Sequence, residues 1–306
     1  MFEQLPGNVR IVEVGPRDGL QNEATPILTE DKLRFIEMLS EAGEQHIEIT
    51  SFVRKDKIPQ LGDAVELVPQ VLASKKIQGV NLSCLVPNLK GMEAAVASRM
   101  KEISLFTATS ETFSKRNTNA TIEETFERFQ PVMMMARKHH IRVRGYLSTV
   151  FGCPYEGDIA VSKVESLTLR LLEMGVDEVS LGDTIGVATP RHVQAVLTAL
   201  AKICPKDRLA MHFHDTRGMA IANILVSLEM GITTFDSSAG GLGGCPYAKG
   251  ASGNVATEDV VYLMEQMDIK TGIDLKKLIL ASGFILKKLG KPSSSKVHQA
   301  FMTNYT

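Results

Sequence analysis

Several signals that would tie this chain to nucleic acid, a membrane or an oxidising compartment are missing. Its 34 lysines and arginines are balanced by 35 aspartates and glutamates, so there is no basic excess for binding a phosphate backbone. No apolar run is long enough to span a bilayer, and the N-terminus lacks the basic region and apolar core of a secretory signal. We therefore expect a cytoplasmic protein without nucleic-acid or membrane partners.

Cysteine is also scarce. The four cysteines lie far apart, and none forms a Cys-x-x-Cys pair. This spacing favours free thiols in a reducing compartment over a disulfide framework or a zinc knuckle. Cys84, Cys153 and Cys204 are expected to be buried thiols.

The glycines do not form a nucleotide-binding signature. The loop from Gly240 to Gly253 contains six glycines, but the third glycine of a dinucleotide fingerprint starting at Gly241 would fall on Pro246. Such a loop allows positive φ angles and hinge motion, which favours a lid over a substrate. A lone cysteine is usually a small buried hydrophobe, but in this loop Cys245 is expected to be catalytic or close to the substrate.

Short β-rich runs alternate with longer helical patterns along the whole chain. Three similar segments end helices at Gly43, Gly175 and Gly231, which indicates equivalent βα units. Two helix starts are clear, a capping box at Thr121 and a threonine–proline start at Thr189. Eight candidate strands cover residues 9–14, 46–50, 80–85, 102–106, 143–149, 178–181, 209–214 and 233–237. This pattern predicts a (β/α)8 TIM barrel, with a doubly wound open sheet as the alternative.

The predicted domain organisation is a single catalytic domain over residues 1–306. The barrel covers about 8–266, and C-terminal helices and a tail cover about 267–306. The run Pro292-Ser293-Ser294-Ser295 is expected to begin a polar, loose tail.

A barrel enzyme works at the C-terminal ends of its strands, so polar residues there carry the functional prediction. Such residues follow or end five of the predicted strands, more than a structural rim needs. They are Arg17, Asp18, Glu48, Asp183, His212, His214, Asp236 and, beyond the last strand, Asn254 and Glu258.

The His212-x-His214 pair is the strongest metal signal. On a strand, both imidazoles share one face and can reach a single ion. With Asp18 they would form a two-histidine, one-carboxylate site with open positions, to which Asn254 could add an oxygen. These ligands suit octahedral Mg²⁺ or Mn²⁺ acting as a Lewis acid. The alternative is a pair of strand histidines that only form hydrogen bonds.

Arg17 has the permanent charge and forked donors that stabilise a developing oxyanion. The structural alternative is an ion pair with Glu48 or Asp183, and both roles can hold together.

Three segments resemble the 3-hydroxy-3-methylglutaryl-CoA lyase family, and the similarity extends over essentially the whole chain. The segments are Gly15-Pro16-Arg17-Asp18-Gly19-Leu20-Gln21-Asn22-Glu23, Met211-His212-Phe213-His214-Asp215, and the cysteine loop from Ala239 to Asp259. The first two elements also occur in related barrels such as isopropylmalate and homocitrate synthases. Those Claisen-condensing relatives lack the cysteine loop, so the lyase is preferred.

The resemblance implies a metal-dependent cleavage of 3-hydroxy-3-methylglutaryl-CoA to acetyl-CoA and acetoacetate. The implied Mg²⁺ or Mn²⁺ ligands are Asp18, His212, His214 and Asn254. The implied catalytic residues are Arg17, Cys245, His212, Asp183 and Glu48, the implied substrate-binding residues are Arg17 and Asn22, and Glu258 matches a supporting acidic position. His212 or Asp183 would accept the hydroxyl proton, and Cys245 would deliver a proton to the enolate.

Three expectations on the protein's setting follow. A lyase for a larger 3-hydroxy-3-alkylglutaryl-CoA and a Claisen-type acyltransferase are the alternative functions. A homodimer is expected, since barrels commonly pair through their outer helices. The ends of the chain carry no transit-peptide pattern, peroxisomal signal or terminal cysteine, so thiol regulation through such a cysteine is not expected.

Overall fold

The chain forms a closed parallel barrel in a computed structural model that describes residues 5–244 and 253–303. Within these ranges, eight strands follow one another in chain order, and the last pairs with the first. They are β1 Arg10–Glu13, β2 His46–Ser51, β3 Asn81–Leu85, β4 Glu102–Ala108, β5 Arg142–Ser148, β6 Glu178–Asp183, β7 Leu209–Phe213 and β8 Thr234–Ser237. The predicted TIM barrel is confirmed, and the open-sheet alternative is wrong.

The helices lie between the strands and after the last one. Their bounds are α1 Thr29–Glu41, α2 Ala64–Ala73, α3 Leu89–Ala97, α4 Glu111–Thr118, α5 Ile122–Lys138, α6 Val161–Met174, α7 Pro190–Leu200, α8 Ala220–Glu229, α9 Thr257–Gln266, α10 Leu275–Leu289 and α11 Lys296–Thr303.

The local signals for helix boundaries are confirmed. Thr121 and Glu124 form the predicted capping box at the start of α5, with side-chain-to-backbone distances of 3.0 and 2.7 Å. Thr189 caps α7 directly before its first-turn proline. The three glycines predicted to end helices all have positive φ, between 84° and 98°.

Alternation along β2 sends polar side chains into the barrel and apolar ones outward. On β2, Glu48 and Thr50 share one face, and Ile47 and Ile49 share the other. Both isoleucines are fully buried in the same core cluster as Phe35 of α1. The apolar layer between strands and helices therefore holds the barrel together, and the interior is available for polar chemistry.

The C-terminal helices pack on the barrel, and the expected loose tail is wrong. Helix α10 lies against α1, and α11 lies against α9. The serine run between α10 and α11 is held in place, because Ser294 N–H donates to Gly240 O at 3.2 Å and Ser295 Oγ donates to Asp259 Oδ1 at 2.7 Å. Ser293 and Ser295 are buried, and these contacts fix the run in place although Ser294 is exposed.

Two further expectations concern the chain as a whole. The single-domain organisation stays a prediction, and it is supported by a core cluster that contains both the barrel residue Ile11 and Ile285 of α10. In the described parts of the chain, none of the helices combines the length and the apolar character needed to cross a membrane.

Three glutamates, Glu13, Glu44 and Glu258, are buried in one region where the first strand and the C-terminal segments meet. Glu13 accepts hydrogen bonds from Thr257 Oγ1 at 2.7 Å and from backbone N–H groups, and Glu258 accepts one from Gly240 N. Neither carboxyl oxygen of Glu44 has a hydrogen-bond partner among the described residues. Burial, together with the negative charges of Glu13 and Glu258, raises the pKa of Glu44 well above its usual value.

This raised pKa predicts a stability that falls as the pH rises. Glu44 ionises in the unfolded chain near pH 4.5 but stays neutral in the folded protein to a higher pH. Each pH unit between those two pKa values lowers the free energy of unfolding by about 1.4 kcal/mol. Glu44→Gln should match the wild type at pH 5 and exceed it at pH 8 in urea unfolding. Glu173→Gln, at an exposed site, is the control; equal pH dependence in wild type and Glu44→Gln would contradict the assignment.

Candidate active site

The turn after β1 places two predicted site residues at the mouth of the barrel. Residues Gly15–Gly19 form a single π-helical turn, in which the N–H groups of Asp18 and Gly19 donate to Val14 O at 2.8 and 3.1 Å. Gly19 is required by close packing, because a Cβ there would lie 2.8 Å from the Cβ of Leu242. The lack of a side chain at Gly19 lets the turn pack closely against Leu242 in the loop that follows β8.

Asp18, His212 and His214 come together at this mouth and form a metal-type cluster, a group of side chains that could hold a metal ion. One ligand atom from each of the three side chains lies within 4.8 Å of the others. Asn254 joins them, with its Nδ2 donating to Asp18 Oδ2 at 2.8 Å. The site is assembled from β7 and from the segments that follow β1 and β8, which are neighbours because the barrel closes there.

The electrostatics of this cluster suit a divalent cation. Burial opposes the charge of Asp18, but the Arg17 guanidinium and the two histidines lower its pKa to about 2. Burial and the neighbouring His212 lower the pKa of His214 to about 4, against the opposing effect of Asp18. An ionised carboxylate and a neutral imidazole are the forms that bind metals. In addition, the buried Nδ1 of His214 has no hydrogen-bond partner within the described ranges, and a bound ion could satisfy such a nitrogen.

Arg17 is buried and held between two carboxylates. Its Nε donates to Glu48 Oε2 at 2.5 Å, and its Nη1 donates to Asp18 Oδ1 at 2.6 Å. Burial disfavours its charge, yet Glu48 and Asp18 keep the pKa of Arg17 above its usual value. The guanidinium also lies over the ring of Tyr146, 5.2 Å from its centroid. Arg17 is therefore a fixed, permanent positive charge beside the metal-type cluster.

Further polar side chains continue behind Arg17 into the barrel interior. Tyr146 Oη donates to Glu48 Oε2 at 3.1 Å and accepts from Arg144 Nη1 at 3.1 Å. Arg144 Nη2 in turn donates to Asp236 Oδ1 at 2.6 Å.

A cavity of about 130 Å³ opens above these groups. Its lining contains the metal-type cluster together with aromatic and aliphatic residues. The polar lining residues include Arg17, Asp18, Asn22, His212 and His214, and the apolar ones include Phe106, Phe113 and Leu147.

Comparison with known proteins assigns the family. The model of the HMGL-like family matches residues 8–285. The chain belongs to the HMGL-like family.

The named relatives are lyases, and their similarity to this chain covers nearly their whole length. A mitochondrial hydroxymethylglutaryl-CoA lyase of Pongo abelii is 52% identical over 97% of this chain and 90% of the relative. A 3-hydroxy-3-isohexenylglutaryl-CoA/hydroxy-methylglutaryl-CoA lyase of Pseudomonas aeruginosa is 50% identical over 97% of this chain and 98% of the relative. The crystal structure of hydroxymethylglutaryl-CoA lyase from Pseudomonas aeruginosa has a TM-score of 0.95 and 49% identity, covering 99% of this chain and all of that one. The resemblance indicated by the sequence motifs is confirmed.

The structure of this HMGL-like chain separates the remaining predicted site residues by position. Asn22 lines the cavity, and Glu48 lies beneath it as the partner of Arg17. Asp183 does not line the cavity. Its carboxylate accepts hydrogen bonds from the N–H groups of Val187 and Ala188 at 2.9 and 3.1 Å. Burial raises the pKa of Asp183 to about 6, against these hydrogen bonds. Glu258 lies in the buried glutamate region, and Cys245 is outside the described residues.

Two features of the HMGL-like site were missed by the sequence analysis. Tyr146 and Arg144 lie on the inward face of β5, a face that the alternation in Arg142–Ser148 already marks as polar. Phe113 and Asn117 come from α4, whose polar composition gave no signal of a cavity wall.

The cluster predicts direct binding of a divalent cation. Mn²⁺ at about 100 times its Kd should stabilise the wild type by about 2.7 kcal/mol and raise Tm by about 5 °C. In His214→Ala this shift should vanish in thermal unfolding, because one of the three ligands is lost. His192→Ala, on the exposed surface of α7, is the matched histidine control and should keep the full shift. A full shift in His214→Ala would mean that Mn²⁺ binds elsewhere.

Proposed function

We propose that this protein cleaves 3-hydroxy-3-methylglutaryl-CoA to acetyl-CoA and acetoacetate. The observation that carries the proposal is the cluster of Asp18, His212 and His214 beside the buried Arg17, in a chain about half identical to lyases of this name. In this reaction the tertiary hydroxyl loses its proton, the C2–C3 bond breaks, and the electron pair passes to the thioester enolate. Protonation of that enolate at C2 then yields acetyl-CoA.

The proposed metal ligands are Asp18, His212, His214 and Asn254. The amide nitrogen of Asn254 makes both of its hydrogen bonds, so Oδ1 is its group for a cation. Oxygen and imidazole ligands support Mg²⁺ or Mn²⁺. When bound, the ion would act as a Lewis acid that polarises the substrate hydroxyl and orients the substrate.

Arg17 is proposed to stabilise the negative charge that develops on the thioester oxygen. Glu48 and Asp18 fix its guanidinium from two sides, so little reorganisation is needed as the charge forms. Glu48 is therefore proposed to position Arg17 from beneath the cavity. Asn22, at the cavity wall, is proposed as a substrate contact.

The cavity size supports an acyl-binding role. Sites for drug-sized ligands are usually about 300–1,000 Å³, whereas this cavity is about 130 Å³. It can hold the acyl end of a CoA thioester, with most of the CoA outside. The apolar lining residues Phe106 and Phe113 suit the alkyl substituent at C3.

The two candidate proton acceptors differ in position. His212 lines the cavity, whereas both oxygens of Asp183 are used by backbone N–H groups. The geometry therefore favours Asp183 as a support for the loop after β6. His212 meets the substrate as a metal ligand, and because a ring nitrogen bound to the ion has no lone pair left for the hydroxyl proton, the proton acceptor stays a prediction. Delivery of a proton to the enolate by Cys245 stays a prediction.

Cleavage of a larger 3-hydroxy-3-alkylglutaryl-CoA is a second candidate function. It is supported by the Pseudomonas aeruginosa relative, whose name includes the isohexenyl substrate. A cytoplasmic location and a homodimer stay predictions from the sequence.

The proposed function predicts metal-dependent turnover in a coupled assay. Purified protein with Mg²⁺ should release acetyl-CoA and acetoacetate from 3-hydroxy-3-methylglutaryl-CoA, and EDTA should abolish the release until excess Mg²⁺ is restored. The isohexenyl ester, assayed in parallel, tests the second candidate. Formation of a longer acid from acetyl-CoA and a keto acid, without cleavage of either ester, would instead support the Claisen-type alternative.

Arg17→Gln tests the role of the arginine. It should lower kcat by about 100-fold or more with a modest change in KM, because the charge acts mainly on the transition state. Arg191→Gln removes an exposed arginine on α7 and should leave both constants unchanged. A near-wild-type kcat in Arg17→Gln, at unchanged Tm, would remove the arginine from the mechanism.

A further inference from the structure

His212 differs from its neighbour His214 in having a buried carboxylate behind it. His212 Nδ1 lies 3.2 Å from Asp236 Oδ2, and Asp236 is 2% exposed. The Nδ1 of His214 has no such partner among the described residues. Of the two histidines, His212 therefore has a defined support on the side away from the cavity.

Asp236 is itself held by two other strands. Ser180 Oγ on β6 donates to Asp236 Oδ2 at 2.7 Å, and Arg144 Nη2 on β5 donates to Oδ1 at 2.6 Å. Arg144 has a permanent positive charge, and its buried ion pair with Oδ1 stabilises the charged form of the carboxylate. The carboxylate is therefore ionised and fixed in orientation.

An ionised carboxylate can only accept hydrogen bonds, so His212 Nδ1 must carry the hydrogen that points at Asp236. A neutral imidazole has one protonated and one unprotonated nitrogen. With Nδ1 protonated, Nε2 keeps its lone pair. That lone pair is what a metal ion, or a proton taken from a substrate, requires.

We propose that Asp236 is a positioning residue that holds His212 in the Nδ1-protonated tautomer and presents Nε2 to the cluster with Asp18 and His214. The inference rests on the proposed function, because it gives Nε2 a divalent cation to bind. Asp236 acts through His212 and does not line the cavity.

The hydrogen bonds that hold Asp236 also extend to Arg17, on the other side of the site. Arg144 donates to Asp236 with Nη2 and to Tyr146 Oη with Nη1, and Tyr146 donates to Glu48, the partner of Arg17. One buried network therefore orients both the histidine and the arginine. A change at Asp236 should act first on His212, its direct neighbour.

The tautomer can be measured in the wild type without any substitution at Asp236. In metal-free protein labelled with ¹⁵N-histidine, at a pH where the ring is neutral, protonated and unprotonated ring nitrogens give well-separated signals. The His212 signals are identified by their loss in His212→Gln. The expected result is a protonated Nδ1 and an unprotonated Nε2. A protonated Nε2 in the wild type would overturn the proposal.

Asp236→Asn provides the functional test. Asparagine can donate to Nδ1, so the Nε2-protonated tautomer should become populated. The Kd for Mn²⁺, measured from the electron paramagnetic resonance of the free ion, should rise about 10- to 100-fold. Thr107→Val removes a buried hydroxyl that is hydrogen-bonded to Thr125 at 2.9 Å and is the matched control. It should change neither the His212 tautomer nor the Kd for Mn²⁺.

The outcomes separate this inference from the metal site itself. If the wild type binds no Mn²⁺, the proposed metal site fails, while the nitrogen signals still decide the tautomer. If the wild type binds Mn²⁺ and a folded Asp236→Asn binds it equally with an unchanged tautomer, the positioning role of Asp236 is overturned. If Asp236→Asn does not fold, the wild-type tautomer decides the question.

Discussion

Charge pairing inside the barrel is the constraint on which this site depends. Arg17 and Arg144 are both buried, and a buried guanidinium is strongly destabilising unless carboxylates accompany it. Glu48 and Asp236 provide that compensation, and Tyr146 joins the two ion pairs. Four of these side chains project from strands, whose backbone positions are set by the barrel. Arg17 lies in the turn after β1, but its positive charge is held in place by Glu48 on the barrel strand β2.

Barrel closure adds the second requirement. Asp18 and Asn254 lie far apart in sequence, but the pairing of β1 with β8 makes them neighbours. Asn254 Nδ2 lies 2.8 Å from Asp18 Oδ2. The metal-type cluster therefore exists only when the two ends of the barrel meet. Arg17 contacts Asp18 directly, so the cluster and the positive charge of Arg17 are assembled in the same event. The proposed binding and polarisation of a substrate would consequently depend on one closed structure rather than on separable parts.

Much of this could be predicted from the sequence, because the relevant signals are local. Period-two alternation marks the strands, Thr121 and Thr189 mark helix starts, and polar residues at strand ends converge in any parallel barrel. The one expectation that failed, the loose tail, involves non-local partners. The serines between α10 and α11 resemble a loose tail until Asp259 and Gly240 are seen beside them. Asp183 ends a strand as a catalytic acid would, and its carboxylate also accepts hydrogen bonds from the following loop, so its catalytic role stays a prediction.

By itself, the sequence determined the fold class, the family and the residues that gather at one mouth, since these follow from periodicity and specific motifs. Only the tertiary structure decided how those residues are used. His212 and His214 are equivalent in the sequence pattern, yet one has Asp236 behind it and the other has no such partner among the described residues. Asp236 gains its significance from Arg144, a residue 92 positions away. The protonation and orientation of a buried group are set by its spatial neighbours, and the chain brings those together only on folding.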